Sequence, residues 1–409
     1  MSTLSPQQLL LAAVLVFGLA TLCQVVAPRL KVPALLLLLP AGFLLGLFAP
    51  QFRMDAILGP AFPIAVDLMV AVILFQGGLE LGDIKLQGND RSIVRRLIWV
   101  GAPITWIAGS VVAHFLLGLS WSLAFLLGAI LIVSGPTVVT PILNFAKPQA
   151  RVRGILMWEG TMLDPLGGIF AIVVFQVVRV SNLESPLDAV LSLLSSFAVA
   201  IIVGALGTFV TVLAIKGVHG NAVLGTQILL GAVLVSAAFA DFLAPESGLL
   251  TALFMGVAAN RVAKRMNASL DTAMPFFNTF VAFGLSVLFI SIAALVPSPM
   301  VAQVALPAIG MSLVLIILVR PLVAIVCTWG FDLTRNQRSF IAWMDPRGIV
   351  AAATASSVSA TLVAANVPGA GELLPAAFII IAVTVFVYGL TAAPVAKALG
   401  LRDATPAPA

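Results

Sequence analysis

The chain has little of what a water-facing surface is built from. Charged residues make up 9% of its 409 residues and there is a single tyrosine, where soluble domains run about 25% charged. So few charges cannot cover a core of this size, which excludes an ordinary soluble globular domain. Only two cysteines occur, Cys23 and Cys327, both in apolar stretches; that excludes a disulfide framework and leaves the redox compartment open. The two histidines, His114 and His219, stand near no second ligand in sequence, so there is no metal-binding motif. An active site needs a nucleophile with a base, or a metal pair, and the chain is expected not to be an enzyme and to carry no cofactor. The segment before the first apolar stretch, 1–8, has no basic residue, and no cleaved signal peptide is expected.

What the chain does have is apolar length. It is 61% hydrophobic with a mean hydropathy of +1.16, and windows of about 20 apolar residues divide it into about thirteen candidate spans. The expected fold is an all-α polytopic membrane protein with a transmembrane domain over 1–400. The remainder, 401–409, reads as a linker-like cytoplasmic tail, expected to precede a regulatory domain in a longer chain. Basic residues test the layout independently of hydropathy. Of 21 Lys and Arg, seventeen fall in loops after odd-numbered spans or at the C-terminal end, two (Arg53 and Arg179) fall in the other loops, and two (Arg320 and Arg347) lie inside spans. By the positive-inside rule the N-terminus is expected outside and the C-terminus in the cytoplasm of a plasma-membrane protein. The net charge of +5 follows from those loops and calls for no nucleic-acid partner. Arg320, near a span end, is expected to snorkel to the headgroups.

The sixth span, 154–178, contains Trp158-Glu159-Gly160-Thr161-Met162-Leu163-Asp164-Pro165 in an otherwise apolar run. A charge at such depth costs about 2.5 to 3.5 kcal/mol on insertion scales, so an intramembrane acid is a functional-site hypothesis by default. Thr161 lies three residues before Asp164 and shares its helix face. Pro165 lacks an N–H, which frees the carbonyl of Thr161. An oxygen-only set of this kind suits a proton or an alkali cation, whereas the bland reading makes Asp164 a protonated packing acid. Glu159 points about 140° away and is expected in an ion pair.

Two further spans are interrupted. The fifth, 121–145, contains Ser134-Gly135-Pro136-Thr137, and the twelfth, 339–365, contains Asp345-Pro346-Arg347-Gly348. Broken backbone at membrane depth is tolerated where it is buried in protein or lines a wet cavity, and a pair of such breaks points to inverted repeats with a midplane site. The two broken helices are expected to cross there, with Ser134 and Thr137 among the ion ligands. Arg347 cannot deprotonate and must be paired, with Glu159 the first choice and Asp345 the second. Gln76, at the end of the third span, either faces the ion path or hydrogen-bonds a neighbouring helix. Asp67, in the same span, is a second-rank acid close to the outer surface.

Taken together, Pro33-Ala34-Leu35 with Gly42 and Gly46, Phe75-Gln76-Gly77-Gly78, Ser134-Gly135-Pro136-Thr137, Glu159 with Asp164, Arg347-Gly348 and Tyr388-Gly389-Leu390-Thr391 resemble the monovalent cation:proton antiporters of the NhaP and eukaryotic sodium/proton exchanger branch. The resemblance implies a homodimer of thirteen-helix protomers whose core slides against a dimerisation domain. It also implies an exchanging acid at Asp164 and a Glu159–Arg347 pair. Three positions depart from the family pattern: Leu163 stands where Asn is usual, Gly135 where Asp is usual, and Gln76 where Glu is frequent. The site is poorer in charge, and K+ stands beside Na+ as the expected ion. The function implied is electroneutral exchange of one cation for one proton, in the service of pH homeostasis. A channel or uniporter gated by a cytoplasmic domain is the alternative.

Overall fold

The computed structural model describes residues 6–30, 32–59, 61–83, 86, 88–180, 186–218, 221–244, 247–265, 274–296 and 298–402. Among these residues the chain is helical, and its one β feature is an isolated bridge between Pro148 and Arg402. In order the helices are α1 (Pro6–Leu30), α2 (Leu35–Phe48), α3 (Met54–Leu58), α4 (Ala61–Asp83), α5 (Asp90–Arg96), α6 (Ala102–Leu117), α7 (Trp121–Ile130), α8 (Pro136–Ala146) and α9 (Ala150–Val180). After these come α10 (Pro186–Gly217), α11 (Ala222–Leu243), α12 (Ser247–Arg265), α13 (Met274–Ala294), α14 (Ser298–Val314), α15 (Arg320–Thr328), α16 (Arg335–Trp343), α17 (Ile349–Ala364) and α18 (Leu373–Ala398). Nine described segments are long and apolar enough to cross a membrane, and four shorter apolar helices accompany them. The protein is a multi-pass membrane protein.

The residues gather into two compact units, Met1–Ile57 with Leu86–Val174 and Phe289–Ala409, and Leu58–Lys85 with Phe175–Leu288. In the second unit α4 packs along α12, and α10, α11 and α12 pack on one another. The Asn260 side chain donates to the Leu79 carbonyl at 2.8 Å. In the first unit α18 packs against α14, α8 and α17, and α6 packs against α7 and α14. Small residues allow close approach on α2, where a Cβ at Gly42 would meet the Ile290 carbonyl oxygen at 2.5 Å. Leu401, expected in the tail, is buried, and its carbonyl accepts from the Gln149 N–H at 2.7 Å. Residues 403–409 lie outside the described set.

Both expected interruptions are present in the first unit. α7 ends at Ile130 and α8 begins at Pro136, with Gly135 extended at φ −109°, ψ 152°. Pro136 explains the geometry, since a proline suits the first position of a helix and drives the residue before it out of the α region. The second break differs in detail: α16 ends at Trp343 and α17 begins at Ile349, Gly348 is extended at φ −90°, ψ 173°, and Pro346 lies in the non-helical stretch between the two helices. α9, by contrast, runs through Pro165 without a break. Two π-helical turns also occur, Leu97–Gly101 leading into α6 and Leu315–Val319 leading into α15.

Candidate functional site

The two breaks meet. Ser134 Oγ donates to the Pro346 carbonyl at 3.0 Å, and the Gly348 N–H donates to the Val133 carbonyl at 3.4 Å. Neither Gly135 nor Gly348 needs glycine for its backbone angles, because both are extended. Space is the reason. A Cβ at Gly135 would lie 2.7 to 2.9 Å from the carboxyl atoms of Asp164, and one at Gly348 would lie 2.8 Å from the Gly135 nitrogen and 3.3 Å from Asp164 Oδ1. The carboxyl group of α9 fills the room these side chains would take. Gly135 and Gly348 are the N-caps of α8 and α17 and, being glycines, offer those helix ends no capping side chain of their own. A helix N-terminus carries partial positive charge, so Asp164 sits against the positive ends of two half-helices.

Asp164 is fully buried and Thr161 is 1% exposed. Among the described residues neither Asp164 oxygen has a hydrogen-bond partner, nor does Thr161 Oγ1. Buried polar groups are nearly always satisfied, and the exceptions mark strain, function or an unseen ligand. Three such oxygens within one turn of one helix, at a crossing built from backbone, form an oxygen-only set whose chemistry suits a proton or a small cation. The hydroxyl proton of Ser134 joins the breaks, and its oxygen keeps the lone pairs that the expected role as an ion ligand needs. Thr137 stands in the first turn of α8; its side chain lies outside the described residues.

The ion pairing differs from expectation. Glu159 pairs with Arg320 rather than Arg347: Nη1 reaches Oε1 at 2.5 Å and Nη2 reaches Oε2 at 2.8 Å, while Nε donates to the Ile341 carbonyl at 2.9 Å. Arg320 does not snorkel; it is 3% exposed and every guanidinium nitrogen is used. Arg347 pairs with Asp345 at 2.8 Å, and Asp345 also lies 4.0 Å from Arg320. The physical reason is position. Arg320 is the first residue after a π-helical turn, and the extra residue of such a turn re-aims the side chains beyond it. Arg347 sits in the non-helical stretch between α16 and α17, two residues from an acid of its own break. Leu97, Thr105, Glu159, Arg320, Asp345 and Arg347 line a small cavity within this unit. Sequence reasoning missed Arg320 as a site residue; the available signal was that a second arginine inside a span needs its own counter-ion.

The other expected residues lie in the second unit. Gln76 Nε2 donates to Asn278 Oδ1 at 2.6 Å, so its amide joins α4 to α13, the second of the two roles expected for it. Asp67 is exposed on α4. Ser110 stands one turn before His114, but its hydroxyl donates to the Trp106 carbonyl at 2.8 Å and His114 Nδ1 lies 2.7 Å from the Leu119 carbonyl. The two are thus engaged elsewhere and do not form a nucleophile–base pair.

Comparison with known proteins agrees with this architecture. Residues 14–398 match the family model described as sodium/hydrogen exchanger, transmembrane. The chain is 23% identical over 400 residues to a probable Na(+)/H(+) antiporter 2 of Methanocaldococcus jannaschii, spanning 91% of this chain and 93% of that protein. It is also 23% identical over 402 residues to the K(+)/H(+) antiporter NhaP2 of Shewanella sp. (strain MR-4), spanning 95% of this chain and 67% of that one. The solved structure of the sodium proton antiporter MjNhaP1 from M. jannaschii at pH 8 superposes with a TM-score of 0.82 at 22% identity, covering 96% of this chain and 99% of the other. A match over nearly the whole chain, joined to crossed broken helices around a buried acid, places this protein in the sodium/hydrogen exchanger family of transmembrane proteins.

Proposed function

We propose that this chain exchanges one monovalent alkali cation, Na+ or K+, for one proton by alternating access, with Asp164 as the group that holds either. The observation that carries the reading is the set of three buried, unpartnered oxygens of Asp164 and Thr161 at the helix crossing. A bare buried carboxylate is costly, and either occupant neutralises it, so the occupied site crosses the membrane barrier more cheaply than the empty one. The two occupants exclude each other, and that exclusion couples the fluxes. Thr161 serves as a second ligand, and Ser134 keeps the breaks in register. Glu159, Arg320, Asp345 and Arg347 form two internally neutral pairs, which leaves Asp164 as the exchanging charge and favours electroneutral turnover. The relatives named above are called sodium and potassium antiporters, so both ions are to be tried. The proposed setting is a homodimer in the plasma membrane, N-terminus outside and C-terminus cytoplasmic, followed by a regulatory domain in a longer chain.

The test is pH-jump transport in proteoliposomes with Na+, K+ and Li+ compared, wild type beside Asp164→Asn. Wild type is expected to move protons against at least one of these ions, and the amide variant is expected to move none. Cation flux without proton flux would point instead to a channel.

A further inference from the structure

The segment that closes α18 reaches both broken helices at their ends remote from the crossing. Gly400 takes the left-handed conformation at φ +64°, which ends a helix and turns the chain aside, and the Leu401 N–H donates back to the Ala396 carbonyl at 2.9 Å. Leu401 is thereby tucked inward and buried. Toward the first break, its carbonyl accepts from the Gln149 N–H at 2.7 Å and Arg402 pairs with Pro148 in the antiparallel bridge, just past Lys147, the C-cap of α8. Toward the second, Asn336 Nδ2 in the first turn of α16 donates to the Leu399 carbonyl at 2.8 Å. Gln337 closes the ring. Its oxygen accepts from the Thr334 N–H at 3.1 Å as part of the cap of α16, and its Nε2 donates to Gln149 Oε1 at 3.0 Å. We propose that Leu401, Asn336 and Gln337 are positioning residues for ion exchange: with residues 399–402 they form a clasp that stays closed through turnover and holds α8, α9 and α16 in the register that sets the cation affinity of Asp164.

Each element that builds the crossing starts or stops at this clasp. α8 is 11 residues long and has Gly135 at its other end; at 1.5 Å per residue it spans about 16 Å. α16 is 9 residues long and leads into the second break. α9 begins at Ala150, directly after Gln149, and carries Thr161 and Asp164. Rigid helices deliver a displacement at one end to the other. At the crossing itself the breaks are joined by two hydrogen bonds, Ser134 to Pro346 and Gly348 to Val133. Two rods joined at one place can still pivot there, and a second fixed point removes that freedom. The tolerance for pivoting is small, because a Cβ at Gly348 would already lie 2.8 Å from the Gly135 nitrogen and one at Gly135 would lie 2.7 Å from Asp164 Oδ2. The inference rests on the reading of Asp164 given above.

The test opens the clasp and, separately, locks it. In proteoliposomes, Leu401→Asp, which puts a charge into the buried end of the clasp, is expected to raise the KM for the transported cation about fivefold or more, the lower end of coupling between distant sites. Asn336→Ala with Gln337→Ala is expected to move KM the same way by less, and it remains readable should Leu401→Asp fail to fold. For the lock, Pro148→Cys and Arg402→Cys are combined in a background with Cys23→Ala and Cys327→Ala. Residues opposed in an antiparallel bridge have Cα atoms about 4.5 to 5.5 Å apart, within the reach of a disulfide. The oxidised protein is expected to keep the rate and KM of its reduced form, and oxidation is expected to restore the KM of Leu401→Asp placed in that background. A clasp that only stabilised the fold would shift the melting temperature and leave KM where it is. An unchanged KM in whichever opened variant folds, or exchange lost on oxidation of the lock and regained on reduction, overturns the proposal. Failure of the wild type to exchange any ion is a separate outcome that brings down the reading of Asp164 and this inference with it.

Discussion

The two broken helices are alike in being interrupted at a glycine N-cap and differ in how many charges they hold. The first break, Ser134-Gly135-Pro136, carries no ionisable group and joins its partner through a hydroxyl. The second, Asp345-Pro346-Arg347-Gly348, carries two, and they neutralise each other at 2.8 Å. Each break ends in proline and glycine chemistry that uncoils one segment and starts the next, and each sets a glycine N-cap against the same carboxylate. The crossing thus supplies space and helix-end dipoles to Asp164 without supplying a net charge. The charge balance is kept one layer away, by a second pair in which Arg320 is wholly spent on Glu159 and the Ile341 carbonyl.

Variants that disturb one side of this comparison and spare the other are expected to differ in kind. The largest effect is expected from Glu159→Gln, which leaves Arg320 buried without a full counter-charge. Removal of one partner of a buried pair costs about 3 to 5 kcal/mol, to be read as a fall in thermal stability or in the yield of folded protein. Next is Gly348→Ala, whose Cβ would meet backbone, the Gly135 nitrogen at 2.8 Å. Overpacking of that kind costs about 1 to 3 kcal/mol, and the melting temperature should fall with it. Gly135→Ala meets instead the carboxyl end of a side chain. It is expected to keep the fold and lose exchange by about tenfold, roughly 1.4 kcal/mol in the barrier, measured as initial rates in vesicles. The smallest effect belongs to Ser134→Ala, which removes one neutral hydrogen bond worth about 1 kcal/mol while both glycine contacts stay in place. If Gly135→Ala and Gly348→Ala proved interchangeable in stability and in rate, the division between a break that makes room and a break that makes contact would not hold.

Much of this was legible in the chain itself, and the parts that were not have physical causes. The breaks announce themselves because Pro136 and Pro346 remove N–H groups inside apolar runs, a local effect that needs no knowledge of neighbours. Asp164 stands out for the same reason, as a charge where lipid depth allows few. The pairing of Glu159 was not legible, because it depends on Arg320 being turned inward after the π-helical turn Leu315–Val319, and no residue in that aliphatic stretch signals such a turn. Gln76 was equally open: an amide near a span end serves a helix neighbour or an ion path with the same sequence, and Asn278 lies about two hundred residues away, |i−j| = 202. Pair identities across such separations are set by tertiary packing, which local periodicity does not encode.

The most direct measurement is proton release on ion binding. Purified protein in weakly buffered solution, titrated with Na+ and separately with K+, is expected to release close to one proton per bound cation, with release abolished in Asp164→Asn. Cation binding with no proton released by the wild type, or the same release from the amide variant, would contradict the assignment of one carboxylate to both ions.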